Sequence, residues 1–175
     1  EMQVWCLSRD SRTLADLFVA IRNEGHPPLW PLLIWSVTRL THEPMAMAAL
    51  HGVFALGTAW LVFHRTTWPL HWRVLFLFGY FMVFEYTAVA RNYGPGVFFL
   101  FAAFIAWHKN RTWIATALLI AFAMTHFWGI VVSAAWAVAT LVNDPRTRST
   151  QRATVVVMVG AVGALLLALP SADLP

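Results

Sequence analysis

Charge is scarce in this sequence. Only 11% of its 175 residues are Asp, Glu, Lys or Arg, against about 25% in an ordinary soluble domain. So few ionic groups cannot cover a water-solvated surface, which excludes a free soluble domain. Cysteine is scarcer still. Cys6 stands alone, so no internal disulfide can form and nothing is learned about redox compartment. The sequence has no C-x-x-C pair, no H-E-x-x-H run and no G-x-x-x-x-G-K-[ST] loop. Zinc-peptidase and P-loop nucleotide chemistry therefore have no motif to rest on.

Apolar residues are what the chain has instead. They make up 59% of it, with ten Trp and thirteen Phe, and the mean hydropathy is +0.64. The expected fold is an all-α integral membrane protein. An isoelectric point near 10.0 would point to nucleic acid in a soluble chain. Here the basic residues fall between apolar runs, so they read as cytoplasmic loop charge and no nucleic-acid partner is expected. The chain opens on Glu1, shows no signal peptide and stops soon after an apolar run. We expect it to be a piece of a longer protein.

The first 44 residues do not read as spanning. Thr13 and Asp16 have the spacing of a capping box with Asp in the Glu position. Leu14, Leu17, Phe18 and Ile21 follow at helical spacing, and Gly25 supplies a stop. That pattern predicts a short amphipathic helix suited to a membrane interface. The run 29–40 holds twelve residues, about 18 Å as a helix against a hydrocarbon core of about 30 Å. It is expected to dock on the bilayer and not to cross it.

Beyond residue 44 the periodicity predicts about six transmembrane helices, at 45–63, 74–90, 95–107, 112–125, 129–142 and 154–169. Arg91-Asn92-Tyr93-Gly94-Pro95-Gly96 is expected to break the long run from 75 to 107. A second break is placed at Thr125–Gly129, and Pro170 stops the last helix before an outer loop at 171–175. Gly160 and Gly163 are expected to let helices approach closely.

Loop charge sets the sidedness. Arg65, Arg73, Lys109, Arg111, Arg146, Arg148 and Arg152 sit in three connections with one acid, Asp144. The remaining segments hold five Arg and seven acids. Basic connections belong in the cytoplasm. Alternation then puts residues 1–44, the Glu85–Gly94 turn and the His126 turn together on the outer, periplasmic face, with the chain multi-pass in a bacterial inner membrane.

Glu85 lies inside an apolar run, where an ionised carboxylate is expensive and marks a functional candidate. Arg91 is six residues on, and its fork of donors suits a lipid phosphate. The pair either clamps helix ends or forms a phosphate site with a nearby acid. His26, before Pro27-Pro28, lies on the outer segment near the membrane surface, and His126 stands alone at a helix break. The other histidines have no paired spacing, so no metal cluster is read.

Taken in order, HPPLWPLLIW (26–35), EYTAVARNYG (85–94) and THFWG (125–129) give a pattern that resembles the GT-C superfamily of polyprenyl-phosphate-dependent glycosyltransferases. The protein O-mannosyltransferase and lipid A aminoarabinose transferase group is the most similar in pattern. The resemblance implies an undecaprenyl- or dolichyl-phosphate sugar as donor, transferred to an acceptor, not identified, on the outer face. In that family the first outer loop begins with an Asp-Glu pair whose Asp is the base. Glu1 would be the second acid, the Asp would precede it, and the chain as given should be inactive. The substrate-binding candidates are His26, Glu85, Arg91, Tyr93, Arg9 and His126, with Arg91 first and Arg9 second for stabilising the departing phosphate. The resemblance leaves a divalent metal open. A transporter or flippase for a lipid-linked or anionic substrate, and a non-catalytic membrane scaffold, remain alternatives.

The topology is checked by cysteines introduced at His26 and Asn92 on a Cys6→Ser background. Both should react with a membrane-impermeant thiol reagent from the same side. Labelling from different compartments would end this reading.

Overall fold

The computed structural model describes residues 2–22, 24–143 and 148–169. The expectations for Glu1, for the stop at Pro170 and for 171–175 lie outside the described residues. Within them every regular element is a helix: α1 (Met2–Asp10), α2 (Leu14–Ile21), α3 (Leu29–Thr38), α4 (Met45–Arg65), α5 (Leu70–Leu77), a π-helix (Phe81–Ala88), α6 (Tyr93–His108), α7 (Thr112–Ala123), α8 (Phe127–Asn143) and α9 (Arg148–Ala168).

Local signals account for several boundaries. The capping box at the start of α2 is formed both ways: the Asp16 N–H donates to Thr13 Oγ1 at 3.2 Å, and the Thr13 N–H donates to Asp16 Oδ2 at 2.9 Å. Gly25 then takes a φ of +68°, a conformation glycine adopts without strain. α6 ends in a Schellman turn with Asn110 at φ +56°. There the Arg111 N–H reaches the Ala106 carbonyl at 2.9 Å and the Asn110 N–H reaches Trp107 at 2.9 Å. α7 and α8 separate at 124–126, as the sequence suggests.

Other boundaries differ from expectation. α1 was not foreseen; it buries Trp5 and Ser8, and side chains of α3 satisfy the carbonyls at its end. Arg39 donates to the carbonyls of Ser8 at 3.1 Å and Arg9 at 2.8 Å. The Trp35 indole donates to Ser11 at 3.0 Å. The helix expected over 74–90 is two pieces, α5 and the π-helix, broken at Phe78–Gly79. A Cβ at Gly79 would lie 2.8 Å from the Leu75 carbonyl oxygen, so the chain turns where it has no side chain. The break before α6 falls at 89–92, and Gly94, Pro95 and Gly96 lie inside the first turn of α6. Pro95 is tolerated there because the first turn needs no intrahelical N–H. Gly160 does permit a close approach, with Ile120 on the spot its Cβ would fill, whereas Gly163 faces open space.

Among the described residues two helices are long and apolar enough to cross a membrane, α4 and residues 150–168 of α9. The π-helix and α6 pass together as a pair bent by 113°, which makes three at most. Six full-length spans are not supported. α7 has twelve residues and reaches about 18 Å, and an eight-residue helix such as α5 reaches about 12 Å. α3 has ten residues, so it is also too short to span by itself.

The helices pack through small residues. Ala103, Leu119, Ala137 and Val157 form one buried cluster of α6, α7, α8 and α9, and Ala123, Ile130, Ala161 and Ala164 form another. Such residues let backbones come close where dispersion, not water exclusion, drives association. Large apolar side chains face outward instead: Leu56 is 74% exposed and Leu166 64%. That is the surface of a bundle suited to lipid.

The legs run between two ends. At one end Trp5, Trp30, Ile34, Met47 and Ala90 share a core. At the other, Phe104, Trp107 and His108 of α6 face Trp136 and Thr140 of α8 and Thr150 of α9. Arg73 closes that end of α4, donating to the carbonyls of Phe63 at 2.7 Å, Thr66 at 3.1 Å and Trp68 at 2.7 Å.

The α4–α6 contact gives a stability test. A Cβ at Gly94 would collide with the His51 ring and would lie 2.9 Å from the Tyr86 carbonyl oxygen, while one at Gly52 meets nothing within 4 Å. Gly94→Ala should destabilise by about 1–3 kcal/mol. Gly52→Ala should be neutral or stabilising by up to about 1 kcal/mol. Thermal unfolding in detergent measures both, and an unchanged midpoint for Gly94→Ala would contradict the packing.

Candidate functional site

The N-terminal helices are fastened to one turn of the bundle, and that turn to a second. The Leu29 N–H, opening α3, donates to the Met124 carbonyl at 3.0 Å. The Asn92 side-chain amide donates to the Thr125 carbonyl at 2.9 Å. Three segments distant in sequence, 24–31, 90–93 and 124–126, thereby meet at one end of the bundle.

Between α1, the loop into α3 and the 90–92 turn lies a cavity of about 180 Å³. Its polar walls are Gln3, Glu24, His26, Arg91 and Asn92, with Trp30 among its apolar ones. Ala90 is buried against the Trp5–Trp30 core, and the Arg91 N–H reaches back to the Val89 carbonyl at 2.8 Å. The tight turn holds the exposed Arg91 guanidinium at the cavity, where it has no hydrogen bond or ion pair among the described residues. Glu24 is oriented by Gln3, whose amide donates to Oε1 at 2.7 Å.

Beside this cavity sits the 125–126 turn. His126 is buried, and its Nδ1 accepts from the Gly129 N–H at 3.0 Å, which leaves the imidazole proton of the neutral ring on Nε2. The Thr125 hydroxyl is 3.2 Å from Nδ1 and 2.6 Å from the Phe122 carbonyl oxygen. The Tyr93 ring lies 5.0 Å from the His126 ring. Gly96 is needed here, because a Cβ would sit 3.0 Å from Thr125 Oγ1 and 3.2 Å from the imidazole. Burial, in this turn outside the helices, holds His126 below the usual histidine range, and the neighbouring His26 lowers it further.

Of the residues singled out in the sequence, His26 and Arg91 therefore line one cavity, and Tyr93 and His126 pack next to it. Glu85 does not join them. It is half-buried on the π-helix and forms no ion pair with Arg91. Arg9 is turned to Asp10, with Nε 2.8 Å from Oδ1, and does not line the cavity. Glu1 lies outside the described residues, although Gln3, two positions on, is a cavity wall. Sequence reasoning missed Gln3, Glu24 and Asn92. Glu24 stands two places before His26 in the N-E-G-H-P-P run, and that adjacency was the available signal.

A guanidinium with no partner among the described residues, sharing a cavity with a carboxylate and an imidazole, can bind an oxyanion and move a proton at a neighbouring hydroxyl. Among the described residues no three His, Cys, Asp or Glu side chains are grouped to hold a metal ion. Glu24 and His26 do not make such a site by themselves, and no step is routed through a metal. No family model matches the chain, and neither a curated protein nor a solved structure is significantly similar to it.

The buried imidazole makes stability depend on pH. The folded state holds His126 below the 6.5 of an unperturbed histidine, so below that pH the unfolded chain takes up the proton more readily. Stability should be full above about pH 6.5 and fall on acidification. His126→Gln should flatten this acid limb in melting curves recorded between pH 7.5 and 5. An unaltered limb would remove His126 as its source.

Proposed function

We propose that the protein is a membrane glycosyltransferase that moves a sugar from a polyprenyl-phosphate donor to an acceptor on the outer face of a bacterial inner membrane. One observation carries the reading. Arg91, with no hydrogen bond or ion pair among the described residues, shares a cavity with Glu24 and His26 at the end of an apolar bundle remote from its basic connections. The motif resemblance supplies the reaction class.

In this reading the short legs around the cavity complete a six-pass topology in the membrane, with the helices of residues 1–44 resting on the outer leaflet. The donor's lipid tail stays among the exposed apolar side chains and its phosphate meets Arg91. A carboxylate takes the proton of the acceptor hydroxyl, the hydroxyl oxygen bonds to the anomeric carbon, and the bond from that carbon to the phosphate oxygen breaks. The departing polyprenyl phosphate keeps the electron pair, and Arg91 stabilises its charge. Glu24 is the carboxylate that shares the cavity with Arg91. The resemblance places the base at an Asp just before Glu1. About 180 Å³ is less than the roughly 300–1,000 Å³ of a drug-sized pocket, so it suits a headgroup alone. A transporter would need its polar residues near the middle of the bundle, whereas these gather at one end.

Sugar transfer from a polyprenyl-phosphate donor, measured with the full-length protein in vesicles, tests the assignment. Arg91→Ala should reduce turnover by about 10²–10³-fold, the scale of losing one charge-stabilising donor. Glu24→Gln should separate the two carboxylates: a comparable loss would make Glu24 the base, and a small one would leave that role to the preceding Asp. Unchanged turnover in Arg91→Ala would remove that residue from the site.

A further inference from the structure

The opposite end of the bundle carries a feature that sugar transfer does not use. A groove of about 700 Å³ opens between α6 and α8, walled by Phe104, Trp107 and Trp136, with His108, Asn110 and Thr112 at its polar end. A second, almost wholly apolar groove of about 290 Å³ shares Phe104, Val132 and Trp136 with it and runs on to Trp68 and Phe101. The aromatic walls brace one another, with the Trp136 ring 5.9 Å from Phe104 and 6.1 Å from Trp107. Arg73 pins the Thr66–Trp68 loop that forms the far wall.

The charge at this end is predominantly positive, with seven Lys/Arg in its three connections against one acid, Asp144. Arg65, Arg73, Lys109, Arg111 and Arg152 lie there, and among the described residues it has no acid. Lys109 and Arg111 are exposed and flank Asn110, which lines the groove in its left-handed turn. Neither side chain has a hydrogen bond or ion pair among the described residues. An apolar trough that ends between unpaired cations is complementary to a molecule with a long apolar chain and an anionic head.

We propose that this trough is a binding site for an anionic phospholipid. One acyl chain lies along Phe104, Val132 and Trp136 toward Trp68, and the phosphate of the headgroup meets Lys109 and Arg111. A free phosphate ion would leave the apolar walls uncovered. A zwitterionic lipid would bring its own cation to an end where Lys and Arg outnumber acids seven to one. The proposal is independent of the glycosyltransferase reading, because none of its residues lines the Arg91 cavity.

Native mass spectrometry of the full-length protein, released from neutral detergent and titrated with phosphatidylglycerol or phosphatidylcholine, tests it. Phosphatidylglycerol should be retained in preference, and inorganic phosphate at the same concentration should not displace it. The double substitution Lys109→Gln with Arg111→Gln should raise the phosphatidylglycerol concentration needed for half-retention about tenfold, with an unchanged melting temperature in detergent. Lys109→Glu with Arg111→Glu should abolish the preference. Equal retention of the two lipids, displacement by inorganic phosphate, or unchanged retention in both double variants would overturn the proposal.

Discussion

The candidate site exists because one hydrogen bond ties the N-terminal helices to the bundle and a second joins the two bundle turns beside them. The Leu29 N–H on the Met124 carbonyl and the Asn92 amide on the Thr125 carbonyl bring three remote segments to one end. Each bond satisfies a backbone group in a turn, where helical partners have run out. The Trp5–Trp30–Ile34–Met47–Ala90 core beneath them excludes water and makes the junction a packed contact. Without this fastening Arg91 would project from a turn with nothing opposite it. With it, Arg91 shares a cavity with a carboxylate and an imidazole.

The two ends of the molecule solve different electrostatic problems. At the fastened end the described charges are of both signs, and Gln3 and Asn92 aim or tether the groups around one cavity. At the other end the positive charges are left without acids among the described residues, and the available polar groups are backbone carbonyls and aromatic faces. Arg73 uses three carbonyls, and Arg65 sits 4.9 Å over the Trp60 ring. Such partners hold a guanidinium in place without cancelling its charge, so that end stays attractive to anions.

The departures from regular helix are concentrated where the chain must return from the basic end. α5, the break at Gly79 and the π-helix cover a leg that hydropathy reads as one span. A π-helix is wider and less well bonded than an α-helix and is frequent at functional positions. Here it ends at the turn that presents Arg91. The bend into α6 is tight because Gly94 and Gly96 admit His51, Thr125 and His126 against the helix backbone.

Sequence alone determined the helical class, the capping box at Thr13 and Asp16, the stop at Gly25, the separation of α7 from α8 and the shortness of the 29–40 run. Those features follow from hydropathy, periodicity and capping, which act within a turn or two of chain. It also marked His26 and Arg91 as polar residues without an evident local use. It could not show that Glu24 and Gln3, and not Glu85, would lie across from Arg91. Which side chains share a cavity depends on how distant segments pack, and the cavity wall joins residues that no local period relates. The splitting of 74–90 and the placing of Pro95 within a first turn were also decided by the tertiary structure. The choice between continuing and breaking a helix there rests on whether a neighbouring backbone occupies the space beside a glycine.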